Sequence, residues 1–113
     1  MATVDEVAAL LLLHRNRGRA GGRVIVPDAL IADLHTVQPG TARDGYGLGF
    51  NVVRPGSDGR GARLRHNGAS GTLAVLDLDR DYIVVALTQV PTKQRMPFTR
   101  RLDAAIEALI DGR

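Results

Sequence analysis

Cysteine is absent from the 113 residues of this chain, which excludes disulfides, thiolate metal sites and a cysteine nucleophile together. Tryptophan is absent as well, and aromatic residues make up only 4% of the sequence, so aliphatic side chains must build the core. Lysine is nearly missing: Lys93 stands alone against fourteen arginines. No apolar run approaches the roughly 20 residues needed to span a bilayer. The N-terminal stretch sets Asp5 and Glu6 ahead of Leu10 to Leu13, which is not the charged-then-apolar layout of an export signal. The acidic residues offer no paired-carboxylate site. Gly56, Gly59 and Gly61 have neither the lysine nor the following helix of a phosphate-binding loop.

What remains is the composition of an ordinary globular protein, 44% hydrophobic and 24% charged. A chain of this length makes one small domain, residues 1–113, burying roughly two thirds of its unfolded surface when compact. The net charge of +3 raises the question of nucleic acid. The arginines are scattered, however, apart from Arg15, Arg17, Arg19 and Arg23, and that cluster has no interleaved aromatics for stacking bases. It follows a helical segment, where a solvated, cation-favouring helix end explains it. Neither a nucleic-acid partner nor a membrane span is expected.

Thr3 and Glu6 form a capping box, and Val7, Leu10, Leu11 and His14 continue at helical spacing. Gly18 supplies a left-handed stop, which predicts a helix from Val4 to Arg17. Gly21-Gly22 reads as a turn and Arg23 to Val26 as a short extended piece. Pro27 suits the first turn of a second helix reaching about His35, and Val37 to Asp44 is a loop. Four strands follow: Tyr46 to Val53, Ala62 to Ala69, Thr72 to Asp77 and Tyr82 to Gln89. Short turns join them, so the meander is antiparallel. The unbroken apolar run Ile83 to Leu87 predicts a strand covered on both faces. A polar linker from Pro91 to Pro97 leads to a last helix with a stripe of Leu102, Ala105, Ile106, Leu109 and Ile110. The expected class is α+β, an antiparallel four-stranded sheet flanked by helices.

Within this frame, Arg65-His66-Asn67-Gly68-Ala69-Ser70-Gly71-Thr72 stands out. A basic residue, a small polar one and a glycine lead through Ala-Ser-Gly-Thr into an apolar strand. Upstream stands Tyr46-Gly47-Leu48-Gly49-Phe50, and downstream Leu76 to Thr88. These blocks resemble, in order and spacing, the C-terminal segment of the serine β-lactamase and penicillin-binding-protein-like family, in its class C and esterase-like branch. There the third catalytic motif is Lys or His, a small residue, then Gly. The resemblance runs from about Thr3 to Leu109 and implies part of that family's α/β lobe. Val26 stands where the family's helix-capping serine is expected, a departure worth about 1 kcal/mol of helix stability.

The resemblance implies roles for particular residues. His66 would lie near the nucleophilic serine and the substrate's carboxylate or carbonyl; unlike lysine, it can titrate near neutral pH. The Ala69 N–H would be an oxyanion donor. Gly68 would let the substrate approach the strand without a Cβ in the way. Asn67 and Ser70 would contact substrate. Tyr46 is not the family's catalytic tyrosine, because Leu48 stands where Tyr-x-Asn requires asparagine.

No Ser-x-x-Lys occurs in the chain, so the expected function is that of a C-terminal portion of a hydrolase, inactive alone. Its implied partners are a missing N-terminal portion or a second copy. The whole enzyme would take a small β-lactam, ester or peptide. The competing expectation is a non-catalytic oligomerisation or ligand-binding module. Asp77, Asp79 and Asp81 flank a turn but lack the glycine and terminal glutamate of an EF-hand. His14 and His35 fall in separate helices with no partner at ligand spacing, so neither metal nor cofactor is expected.

Overall fold

A computed structural model describes residues 2–40 and 45–112. The first helix, α1, spans Val4–Arg15. The Thr3 hydroxyl accepts from the Glu6 N–H, and the Glu6 carboxylate accepts from the Thr3 N–H at 2.8 Å, so the expected capping box forms. The helix stops two residues earlier than expected because Arg17 as well as Gly18 turns left-handed, with φ of 58° and 86°. A Cβ on Gly18 would overlap the Val26 carbonyl oxygen, so only glycine fits there.

The chain then makes a small hairpin, β1 (Arg19–Ala20) against β2 (Arg23–Val24). The extended piece expected at Arg23 thus has a partner strand that composition did not signal. Helix α2 spans Asp28–Leu34, with Pro27 as its N-cap at φ −56°, ψ 141° and no side-chain cap. Proline therefore stands one position earlier than expected, and the expected weakness at Val26 belongs to Pro27. Asp28, in the first turn, gathers Arg17 and Arg60, and hydrogen bonds from Arg17 and then Arg60 hold its carboxyl well below the usual carboxylate range. The loop from Val37 is described as far as Gly40; its expected continuation through residues 41–44 lies outside the described residues.

The main sheet has strands β3 (Asn51–Pro55), β4 (Gly61–Asn67), β5 (Leu73–Asp77) and β6 (Tyr82–Ala86) in the order β3-β4-β5-β6, every neighbour antiparallel. The fold is α+β with the expected meander. Each strand is shorter than expected, and the first differs most. Tyr46 to Phe50 is not strand: the Gly47 N–H donates to the Phe50 carbonyl at 2.8 Å, Gly49 sits at φ 96°, and Tyr46 bridges Asn51. Two glycines fold this segment into a tight turn against α2. A Cβ on Gly47 would lie 2.5 Å from the Leu34 carbonyl oxygen.

The sheet is covered on both sides. Leu11 of α1 packs with Phe50, Val52, Leu64 and Leu76, joined by Ile83 and Val85. On the opposite face Leu73, Val75 and Tyr82, with Val84 and Ala86, meet Leu102, Ile106 and Ile110 of the last helix, α3 (Thr92–Asp111). The unbroken run in β6 is explained by this two-sided cover, since successive strand residues face opposite ways.

Helix α3 begins well before the expected linker ends. Pro91 supplies its N-cap, and Pro97 sits inside it, forgoing the backbone bond its missing N–H would have made. Ala105 and Leu109, expected in the buried stripe, are exposed, Leu109 by 72%. The stripe that packs is therefore Leu102, Ile106 and Ile110, spaced by four. Ion pairs fasten the helix to the sheet: Arg63 and Arg80 to Glu107 and Arg65 to Asp103, at 2.8–2.9 Å. The hydrogen bond from Arg80, and then that from Arg63, draws the Glu107 carboxyl down to about 2.

Candidate functional site

Strand alternation decides how the motif is presented. Arg63, Arg65 and Asn67 point to the face that carries α3, as their bonds show: Arg65 reaches Asp103, and its Nε donates to the Asn67 Oδ1 at 2.7 Å. Leu64, and with it His66, points to the face that carries α1. His66 pairs with Ala74 across β4 and β5 and its side chain is exposed. The motif thus straddles the end of the sheet, with histidine and asparagine on opposite sides.

After Asn67 the chain makes a turn built from residues 68–72. The Gly68 N–H donates to the Thr72 carbonyl at 2.7 Å, and the Gly71 N–H, from a residue at φ 83°, to the Gly68 carbonyl. Ser70 holds the turn in place through its backbone, its carbonyl accepting from the Thr88 hydroxyl at 2.6 Å and from the Val90 N–H at 2.9 Å. Its hydroxyl lies 3.5 Å from that of Thr72. Ala69 is at the exposed tip, and its N–H has no acceptor among the described residues. A Cβ on Gly68 would come within 3.1 Å of the Thr72 Cβ, so this glycine has a packing reason within the turn itself.

Beside the turn lies a cleft of about 540 Å³. Asn67, Gly68, Ala69, Gly71 and Thr72 form one wall, Tyr46 and Asn51 a second, and Arg95, Met96 and Thr99 of α3 the third. Three expected site residues, Asn67, Gly68 and Ala69, therefore line one cavity. His66 and Ser70 do not line it. Arg95 was not singled out in the sequence, although a signal was present: no acidic residue stands three or four positions from it on the helix, so no local carboxylate can neutralise it.

A second cavity, of about 290 Å³, opens between α1, α2 and the 56–61 loop. At its wall stand His14 and His35, which the sequence left unpartnered. The structure joins them, Nδ1 of His14 lying 2.9 Å from Nε2 of His35. Their ring centroids are 5.1 Å apart and their planes 25° apart. That separation is about the N···N distance plus one ring radius at each end, so the rings meet end to end in a near-linear hydrogen bond. Phe50 closes edge-on against both. Sequence separation concealed the pair; only the packing of α1 on α2 brings it together. Among the described residues no three histidine, aspartate or glutamate side chains gather in a way that could hold a metal ion, and no helix is long and apolar enough to cross a membrane.

No protein-family model matches the chain, and no curated protein matches it. Among solved structures it is similar to a crystal structure of a "putative beta-lactamase" from Bacteroides dorei DSM 17855, at 16% identity and a TM-score of 0.60, covering 77% of this chain and 33% of that one. At this identity the likeness is one of fold. The chain thus has a β-lactamase-like fold, and it spans about a third of the length of the structure it matches.

Proposed function

We propose that this chain is the C-terminal portion of a serine β-lactamase-like hydrolase, of β-lactamase, carboxylesterase or D-amino-acid peptidase type, with residues 1–113 forming part of one domain. The missing nucleophile would come from sequence outside the chain. In the assembled site that serine attacks a carbonyl, a lysine and a tyrosine outside the chain move the proton, the Ala69 N–H donates to the oxyanion from the cleft, and His66 would help hold the substrate from the α1 side of β4. Asn67 and Ser70 would make further substrate contacts, and Gly68 shapes the turn that aims Ala69. The observation that carries this reading is the Ala69 N–H itself. It stands beside a cleft and has no acceptor among the described residues, which leaves it available to a reacting oxygen. The motif order and the fold likeness support it.

The decisive experiment is the intact mass of the native product, detected with an antibody to the 55–61 loop, followed by an ester and β-lactam hydrolysis screen of that product. A species several times larger than the 12.1 kDa of this chain, whose hydrolysis falls at least tenfold on His66→Ala, bears the reading out. A 12 kDa species without hydrolytic activity points to the alternative, a non-catalytic module that assembles with itself or another chain. The exposed Leu10 and Leu12 on α1 and the outer edge of β6, which pairs with no other strand among the described residues, favour that alternative, because such surface tends to acquire a partner.

A further inference from the structure

Three asparagines occur in the sequence, Asn16, Asn51 and Asn67, followed by Arg17, Val52 and Gly68. Only at Asn67 does the next residue lack a Cβ, so only there is the following backbone nitrogen open to close approach by the asparagine's own side chain. Asn67 is the last residue of β4 and is exposed. Its Oδ1 accepts from the Arg65 Nε at 2.7 Å. That charge-assisted bond draws electrons from the carboxamide carbon and is placed to hold negative charge on the oxygen. Arg65 is itself fixed, its Nη1 lying 2.9 Å from the Asp103 carboxylate. Asn16 also accepts from an arginine, Arg15 at 3.0 Å, but the Cβ of Arg17 shields the next nitrogen. At Asn51 the next residue is β-branched, and its N–H is bound to the Gly45 carbonyl at 2.7 Å.

One contact opposes reaction at Asn67. The Gly68 N–H donates to the Thr72 carbonyl at 2.7 Å, and a nitrogen held in this way is turned away from the side chain. Releasing it requires the 68–72 turn to open. The turn is anchored through the Ser70 carbonyl by the Thr88 hydroxyl and the Val90 N–H, and its tip, Ala69, is exposed. Opening such a segment costs less than unfolding the domain. Arg65 and Asn67 both belong to β4, so their bond survives when the turn opens.

We propose that Asn67 is a site of self-modification: opening of the 68–72 turn frees the Gly68 nitrogen, Arg65 activates the Asn67 carboxamide, and the two groups close into a cyclic imide that water then opens. In the first step a bond forms between the Gly68 nitrogen and the Asn67 Cγ. The bond from Cγ to the side-chain nitrogen breaks, and that nitrogen takes up the proton lost by Gly68 and departs as ammonia. Water then adds at either imide carbonyl, giving aspartate or, where the main chain stays linked through Cγ, isoaspartate. The net change is water in and ammonia out, with no oxidation. Aspartate sets a carboxylate against Arg65 in the wall of the cleft that Asn67 lines. Isoaspartate adds a carbon to the main chain ahead of Gly68 and displaces the turn. The proposal is independent of the hydrolase reading, because none of its groups lies outside this chain.

The test is to age the folded 113-residue chain in ¹⁸O-enriched water at mildly alkaline pH and map amide-to-acid conversion by peptide mass spectrometry. The heavy oxygen separates conversion during ageing from conversion during digestion. Conversion is expected at Asn67 and not at Asn16 or Asn51. Arg65→Gln should slow it by about tenfold, the loss of a charge-assisted bond in the rate-limiting step. Asp103→Asn, which loosens α3 but keeps the guanidinium, should not slow it. Thr88→Val, which removes one anchor of the turn, should speed it by about fivefold. In urea the wild type and Arg65→Gln should convert at the same rate, which shows that the assistance belongs to the fold. The proposal is overturned if the folded chain stays unconverted at Asn67 while the urea-unfolded chain converts. It is equally overturned if Arg65→Gln converts as fast as the wild type when folded, or if Thr88→Val brings no acceleration.

Discussion

His14 and His35 are joined by a near-linear imidazole–imidazole hydrogen bond of 2.9 Å that ties α1 to α2. One ring donates and the other accepts, so the bond needs at least one inward-facing nitrogen without a proton. Burial lowers the pKa of His14. Burial, followed by the charges of His14 and Arg60, lowers that of His35 to about 4. Arg15, Arg17, Arg60, Asp58 and Asp79 stand around the same cavity, and of these Arg60 adds its charge to the effect of burial on His35. Between pH 6.5 and about 4 the unfolded chain therefore binds a proton that folded His35 declines, and His14, lowered too, adds in the same direction. Stability is retained above pH 6.5 and falls as the pH drops through this window, with a slope of up to about 1.4 kcal/mol per pH unit for each displaced titration. Urea midpoints measured from pH 7.5 to pH 5 should fall in the wild type and stay nearly level in the His14→Phe/His35→Phe double variant. A level wild-type profile would rule this account out. The Glu107 contribution is lost only below its ordinary value of 4.5, so the upper part of the window isolates the histidines.

Gly47 and Gly22 separate two reasons for glycine. A methyl on Gly47 would press on the Leu34 and Thr36 carbonyl oxygens at 2.5 and 3.0 Å, whereas one on Gly22 meets nothing within 4 Å and only strains a φ of 75°. Gly47→Ala should cost more than 2 kcal/mol, and Gly22→Ala about 1 kcal/mol. Equal losses in chemical denaturation would show that α2 does not constrain the turn.

Leu64 is fully buried at the centre of the α1-side core. Leu64→Ala should destabilise by about 2–5 kcal/mol through lost transfer energy and the cavity left behind, with the thermal midpoint as readout. The exposed Leu109 on α3 serves as the control; its alanine variant should change stability by less than about 0.5 kcal/mol.

Thr3→Ala removes the acceptor for the Glu6 N–H and breaks the reciprocal cap. The expected loss is about 1 kcal/mol, accompanied by earlier hydrogen exchange in the first turn of α1. A serine at this position should restore both.

Asp77 is fully buried, accepts the Arg80 N–H at 2.9 Å and faces the Arg54 and Arg80 guanidinium groups. Asp77→Ala leaves that N–H and both cations without their shared acceptor, at a cost of about 2–3 kcal/mol. Asp79→Ala, whose exposed carboxylate makes only the surface contact with Arg54, should be nearly neutral.

The sequence was most legible where a local rule acts alone. The Thr3 and Glu6 spacing, the short turns between strands and the apolar run in β6 each reflect chemistry within a few residues, and the sheet order followed from them. Legibility failed where distant contacts overrule local signals. Tyr46 to Phe50 has strand composition but is folded into a turn by its contact with the end of α2. The 91–97 segment has linker composition but is helical, anchored by the packing of its C-terminal continuation. At the site, alternation along β4 was readable but not which face the cleft occupies, because that depends on where α3 lies. Arg95 could be seen as lacking a local partner. That it lines one cleft with Asn67 is a fact of tertiary packing alone.

The two margins of the main sheet are unlike. β3 has register irregularities between Val52 and Pro55, ends in a proline, and has Gly45 folded back to receive the Val52 N–H at 2.7 Å. β6 keeps a regular register along its whole length and carries no proline. Growth of the sheet is therefore one-directional. A strand from elsewhere in the polypeptide would complete it at β6. The β3 margin, by contrast, carries the irregularities and the proline that discourage a further strand.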